Sequence, residues 1–257
     1  MKKTLLLAAG LSACAAANAA ITQSADSSAF QFKYEMDVAP FSQDLDSNGT
    51  IDWRNGGTGN NGTPSVSGGF ANNTNTNQIF RGDDNNSIWR VLANTAAADW
   101  TMEISVAKTG GTQGTSGWFG IATANLNESN SLALFIKDDR VTVSGVDYLV
   151  GTNFASGAQN IFRIAHDTAD NAYYVWVNNT LLNTSLSTPI AGANGTSFDN
   201  ATFIGDYGAA FAGNFSIDYL RLDSAAFAAI PEPSTYGLLG AGALAAAALV
   251  RRRRKAA

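Results

Sequence analysis

The run Phe162-Arg163-Ile164-Ala165-His166, the polar segment Asp167 to Asn171, and the run Tyr173-Tyr174-Val175-Trp176-Val177-Asn178-Asn179-Thr180-Leu181-Leu182 decide the fold. Both runs are rich in β-branched and aromatic residues and are bounded by Asp and Asn, the composition of strands joined by tight polar turns. Asn178-Asn179 reads as a second turn that folds Thr180 to Leu182 back on the strand before it.

The same signature extends along the chain in both directions. Phe30, Phe32, Tyr34, Met36 and Val38 alternate with Gln31, Lys33, Glu35 and Asp37, as one half-buried strand requires. Trp100, Met102, Ile104 and Val106 repeat the pattern against Thr101, Glu103 and Ser105. Further strands are expected over Ser131 to Lys137, Arg140 to Val150, Asn160 to His166, Ala172 to Asn178, Ala201 to Gly205 and Asn214 to Leu222, with Lys137-Asp138-Asp139-Arg140 as a turn. Asn55 to Asn77 is Gly-, Asn- and Thr-rich and reads as a long loop on the sandwich, and Arg81-Gly82-Asp83 as a turn. Residues 27–228 are enough to bury one core, so we expect a single all-β domain of sandwich or jelly-roll type.

With Phe203-Ile204-Gly205-Asp206 and the closing Phe215-Ser216-Ile217-Asp218-Tyr219-Leu220-Arg221-Leu222, the segment from 160 to 223 resembles the C-terminal half of a concanavalin A-like or laminin-G-like jelly roll. That family carries a V-N-G-x-x-L turn and closes on an I-D-x-x-x-L strand. Here Asn179 stands where the glycine would be, a mild departure because Asn tolerates positive φ. The resemblance implies a concanavalin A-like jelly-roll sandwich.

Laminarinase-type glycosidases share that fold, and a retaining site needs two carboxylates about 5 to 5.5 Å apart on one strand face. The E-x-D-x-x-E pattern that would supply them is missing: Met102-Glu103-Ile104-Ser105 holds a single acid, and Asp138-Asp139 reads as a turn. There is no G-x-S-x-G elbow, and His166, the sole histidine, reads as a turn or surface residue at a strand end. The expectation is a protein without catalysis.

One candidate metal site stands out, Asp44-Leu45-Asp46-Ser47-Asn48-Gly49-Thr50-Ile51-Asp52. Side-chain oxygens of Asp44, Asp46, Asn48 and Asp52, the Thr50 carbonyl and Gly49 at the sharp turn follow the order of a calcium loop. Position 12 is Asn55 rather than the bidentate Glu of a helix-flanked loop, so the closer likeness is to the short D-x-D-x-N-G-x-x-D loops of extracellular repeat proteins. The competing reading is an acidic turn held by Asx hydrogen bonds. Trp53, Trp89 and Trp118 lie beside polar loops and are candidate platforms for stacking a pyranose, with core packing as the alternative; Trp100 and Trp176 are expected inside the sandwich.

The two ends address the chain. Lys2-Lys3, an apolar run and Ala17-Asn18-Ala19 read as a secretory signal over residues 1–19. Cys14, the only cysteine, also fits a lipoprotein cleavage pattern after a short apolar region. At the other end Pro231-Glu232-Pro233 precedes an uncharged run from Thr235 to Val250, which as a helix reaches roughly 24 Å against a hydrocarbon core of about 30 Å. Arg251-Arg252-Arg253-Arg254-Lys255 then fixes the terminus in the cytoplasm. Residues 230–257 resemble the sorting signal of PEP-CTERM proteins, which implies recognition and cleavage by an exosortase-type membrane protease and delivery to the surface or the exopolysaccharide matrix.

Removing both ends takes 7 of the 16 basic residues, leaving 9, and only Glu232 of the 21 acids, leaving 20, a balance of −11. That charge argues against nucleic acid as a partner. The expected function is a non-catalytic surface or biofilm-matrix sandwich that binds carbohydrate, with calcium as its ion; the alternatives are a purely structural surface protein and, third, a glycoside hydrolase.

Overall fold

Strands alternate their side chains, and where both faces of a strand must be covered the chain needs a second layer on each side. The computed structural model describes residues 24–25, 27–55, 64–74, 79–82, 88, 99–123, 132–167, 172–183, 190–191, 202–206 and 211–229. The signal segment 1–19 with Cys14, Trp89, Pro231 to Pro233, the apolar run 235–250 and Arg251 to Arg254 lie outside them. Among the described residues no helix is long and apolar enough to cross a membrane.

The expected all-β sandwich is what the chain forms. One antiparallel sheet runs, in spatial order, Val146–Tyr148, Val141–Val143, Leu132–Ile136, Phe119–Thr123, Thr202–Gly205, Ile79–Gly82 and Arg54–Asn55. The second runs Thr180–Leu181, Ala172–Val177, Asn160–Asp167, Trp100–Gly110, Asn214–Asp223, Phe70–Asn73 and Ser65–Ser67, with Ile190–Ala191 beside Ala172–Val177 and Phe32–Tyr34 beside Asn214–Asp223. Among the described residues these sheets have seven and nine strands.

A single apolar cluster fills the space between the sheets. Met102, Ile104, Val106, Phe162, Ile164, Val175, Phe215, Ile217 and Leu222 come from the nine-stranded sheet, and Phe119, Ile121, Leu134, Ile136, Val141 and Ile204 from the other. Phe119 and Phe215 join the layers edge to face with ring centroids 4.8 Å apart. At the centre of the nine-stranded sheet, Trp100–Gly110 pairs with Asn160–Asp167 on one side and with Asn214–Asp223 on the other.

Turn chemistry agrees with backbone geometry. Three hairpins use two-residue loops, Gly68-Gly69, Ser144-Gly145 and Asn178-Asn179, and every one of these six residues has positive φ. That is the primed turn whose twist matches the flanking strands. Asn179 sits at φ 64, so the expectation that it substitutes for glycine holds.

Several expectations about strand extent are corrected. The Phe30 to Val38 run is a strand only over Phe32–Tyr34; Met36 has φ 54, which breaks the alternation, and Val38 is exposed. Arg140 to Val150 is a hairpin rather than one strand, because Ser144-Gly145 reverses it. The Asn55 to Asn77 stretch holds the paired strands Ser65–Ser67 and Phe70–Asn73, its glycines being the turn between them. Arg81 and Gly82 belong to the strand Ile79–Gly82 rather than to a turn.

Asn179→Val places a β-branched residue at positive φ and is expected to lower stability by about 1–2 kcal/mol, whereas Asn179→Gly leaves it within a few tenths. Urea unfolding of the two variants checks the difference.

Candidate functional site

Glu103 and Arg163 point to the face of the nine-stranded sheet away from the core, yet they are only 1% and 2% exposed. Arg163 Nε donates to Glu103 Oε2 at 2.7 Å, and Nη2 lies 2.6 Å from the same oxygen. Tyr219 Oη donates to Glu103 Oε1 at 3.0 Å, so both carboxylate oxygens are engaged. The Arg163 guanidinium also lies over the Phe30 ring, 5.1 Å from its centroid. Register puts these residues together, since Glu103 faces Arg163 across one ladder and Arg221 across the other.

The segment Ser224 to Ala229 covers this group. Thr101 Oγ1 donates to the Ala225 carbonyl at 2.6 Å and accepts from the Phe227 N–H at 2.8 Å. Arg163 Nη1 donates to the Ala228 carbonyl at 2.8 Å. Ala228–Ala229 pairs in parallel with Ser24–Ala25, and Ala226, Ala228 and Ala229 pack with Leu181, Ala165, Tyr174 and Trp176 as a second, smaller apolar cluster. Trp176 is thus in a strand, as expected, but under this cover rather than in the main core, which holds Trp100.

Away from that cover the same face is polar. Ser105 Oγ lies 3.3 Å from Gln159 Oε1, and Gln159 Nε2 lies 3.2 Å from Ser216 Oγ. A register shift between Ile217 and Tyr219 adds Asp218 as an extra residue, the way a bulge re-aims a side chain. Burial pushes the Asp218 carboxyl above its ordinary value, against a hydrogen bond from Ser105, and nearby Glu35 pushes it further the same way. Arg221 closes the row: it binds Glu35 through Nε and Nη2 at 2.9 and 3.0 Å and lies 3.8 Å above the Tyr219 ring. The result is a ladder of hydroxyl, amide and carboxylate groups held by one another, with the Ser105 and Ser216 hydroxyls buried beneath the half-buried Gln159 and Asp218 and the exposed Glu35.

The candidates named from sequence fall elsewhere. Trp53 and Trp118 are 1% and 0% exposed, Trp53 packing edge to face on Phe80 and Trp118 beside Phe119, so neither offers a ring face to a sugar. A Trp beside a polar loop is as often the loop's anchor in the core, and that is its part here. Trp89 lies outside the described residues. His166 is not at the surface: it is 1% exposed and stacks on Trp100 with centroids 5.8 Å apart.

The Asp44 to Asp52 loop keeps four of its five residues together. Asp44 Oδ1 and Asp46 Oδ1 both accept from the Asn48 N–H, at 3.2 and 3.3 Å, while Asp44 Oδ2 accepts from Gly49 and Asn48 Oδ1 from Thr50. Ser47 and Gly49 take positive φ at the turn. Asp52 departs: it is 1% exposed and accepts from Gln43 Nε2, Leu45 N–H and Ile88 N–H at 2.8 to 2.9 Å. Burial pushes its carboxyl above the ordinary value against the hydrogen bonds from Leu45 and Ile88. Asp52 therefore ties the loop to the chain at Ile88. Among the described residues no three His, Cys, Asp or Glu side chains gather as a metal would require.

Comparison with known proteins bears on the end of the chain. The family described as the PEP-CTERM protein-sorting motif matches residues 229–254, which implies export, anchoring through the C-terminal segment and processing by an exosortase. The protein is thus a surface or extracellular one. No curated protein matches the sequence. Solved structures of similar shape include a Trypanosoma rangeli sialidase in complex with a difluoro-KDN (11% identity, TM-score 0.43, 64% of this chain and 26% of that one). Others are a carbohydrate esterase of the Shiga toxin-encoding bacteriophage phi24B (8%, 0.44, 70% and 95%) and the carbohydrate recognition domain of Emp47p (16%, 0.40, 78% and 99%). The chain spans about a quarter of the sialidase's length.

Three substitutions test the structural parts of Glu103 and Asp52. Arg163→Met strands a buried Glu103 and is expected to cost about 3–5 kcal/mol, most of which Arg163→Met with Glu103→Leu restores. Asp52→Ala leaves the Leu45 and Ile88 N–H groups without their acceptor and is expected to cost about 3 kcal/mol, equally with calcium and with chelator. Thermal unfolding in both buffers reads each result.

Proposed function

We propose that this protein is a non-catalytic, exported β-sandwich that binds a neutral polysaccharide of the cell envelope or biofilm matrix through the outer face of the nine-stranded sheet. The observation that carries the reading is the row Gln159, Asp218, Glu35 and Arg221, held from beneath by the buried Ser105 and Ser216. Sugars present hydroxyls that both donate and accept, and a row of amide, carboxylate and guanidinium groups already held in place can meet several at once with little ordering cost. The balance of −11 favours a neutral polymer over a polyanion.

The absence of catalysis is part of the proposal. Glu103, the acid on the central strand, is bound by Arg163 and Tyr219 beneath the segment Ser224 to Ala229, an arrangement that keeps it away from a glycosidic oxygen. We propose calcium on Asp44, Asp46, Asn48 and the Thr50 carbonyl, with Asp52 serving the fold instead. Two carboxylates make a weak site, suited to millimolar extracellular calcium, and the ion would stiffen this loop.

Gln159→Ala and Asp218→Ala are each expected to weaken binding to the responsive member of a glycan panel about tenfold without lowering the unfolding temperature, while Trp118→Phe leaves binding unchanged. Isothermal titration with calcium and with chelator checks this. Equal affinities for all variants, or no binding by the wild type, would move the assignment to a structural surface protein.

A further inference from the structure

We propose that Asn48 is a self-processing site, whose side-chain amide the surrounding loop converts, through a cyclic imide with the Gly49 nitrogen, into aspartate or isoaspartate. The reaction is independent of the carbohydrate reading.

Chain order supplies the reactants. The Gly49 nitrogen is joined to Asn48, so its attack on Asn48 Cγ closes a five-membered ring, and a nucleophile tethered in this way acts at the effective concentration of an intramolecular reaction. Both residues are exposed. Gly49 has no Cβ, and the space where one would stand holds nothing within 4 Å, so the ring and the incoming water have room.

Hydrogen bonds then place the groups that the reaction needs. Gly49 N–H donates to Asp44 Oδ2 at 3.0 Å, within the reach of a general base. Asp44 is aimed by its other oxygen, Oδ1, which accepts the Asn48 N–H at 3.2 Å. Thr50 N–H donates to Asn48 Oδ1 at 2.7 Å, and Oδ1 is the atom on which negative charge develops when Cγ is attacked, so an oxyanion donor is already in place. Asp46 Oδ2 accepts from Asn48 Nδ2 at 2.9 Å and holds the leaving nitrogen. The foot of the loop is closed: Asp52 N–H donates to the Gln43 carbonyl at 2.8 Å, and Asp52 Oδ2 accepts the Leu45 N–H at the same distance. Unfolding keeps the Asn-Gly pair and loses all of these partners.

The steps balance with water as the sole co-reactant. The Gly49 N–H proton passes to Asp44 as the Gly49 nitrogen bonds to Asn48 Cγ. The adduct breaks its Cγ–Nδ2 bond, and Nδ2 leaves as ammonia with the proton from Asp44, which restores the base. Water then opens the imide. Cleavage of the new N–Cγ bond gives aspartate, and cleavage of the original peptide bond gives isoaspartate, with the chain running through Cγ. Either product carries carboxylates at 44, 46 and 48 and adds one negative charge to the loop.

The test follows the full chain at neutral pH in chelator, which keeps any cation off Asp44, with peptide mass spectrometry reading amide-to-acid conversion at Asn48. The tripeptide Asn48-Gly49-Thr50 recurs as Asn61-Gly62-Thr63 and Asn194-Gly195-Thr196, so in urea the three sites share one local chemistry and set the reference rate. Native protein is expected to convert Asn48 roughly tenfold faster than the urea-unfolded chain, and Asp44→Ala is expected to bring the native rate down to the unfolded one. A native rate equal to or below the unfolded rate overturns the proposal, and that comparison needs no variant to fold. A fast native rate that Asp44→Ala leaves unchanged overturns it too, because the loop then supplies no base.

Discussion

The pairing of Glu103 with Arg163 is the constraint around which the sandwich is arranged. Two opposite charges nearly excluded from water are stable only when their remaining donors and acceptors are met, and here Tyr219, the Ala228 carbonyl and the Phe30 ring are among the partners. Those partners come from the first described segments of the domain, from its last segment Ser224 to Ala229 and from the strand Asn214–Asp223. The pair therefore fixes register on both sides of Trp100–Gly110 and holds the two ends of the domain against one sheet. The main core fills the other side of that strand, so its polar positions Thr101, Glu103 and Ser105 are buried as deeply as its apolar ones.

Much of this architecture was readable because strand alternation and turn composition are local properties. Trp100, Met102, Ile104 and Val106 all face the core, and the two-asparagine turn at 178–179 adopts the geometry its composition calls for. The errors mark where local pattern meets long-range packing. Met36 keeps its inward position while leaving the strand through positive φ, which no periodicity signals. Gly68-Gly69 looked like low complexity, and it is a hairpin because its neighbours pair with a distant strand.

The site was less legible than the fold for a related reason. Trp53 and Trp118 have polar neighbours in sequence, but exposure is decided by the layers above, and both rings are interior. Asp52 belongs to a calcium-like pattern by spacing, yet its carboxylate is drawn inward by the N–H groups of Leu45 and Ile88, the second of them 36 positions away. The polar ladder joins Ser105, Gln159, Ser216 and Asp218 from separate strands and connections, so no contiguous motif could announce it. One signal was present: Ala172–Val177 is aromatic or apolar on both faces, which is what a strand covered on both sides looks like. The sorting tail, by contrast, is contiguous, and its match over 229–254 begins where the domain's last strand ends.

A glycan-bound map of amide exchange across the folded domain tests the central claim, that the outer face of the nine-stranded sheet is the recognition surface. With the source organism's own exopolysaccharide as ligand, the account predicts slowed exchange concentrated at Glu35, Gln159 and Asp218, with the strands of the seven-stranded sheet unchanged. Protection confined to the Leu132–Ile136 and Val141–Val143 strands, or no protection anywhere, would contradict it.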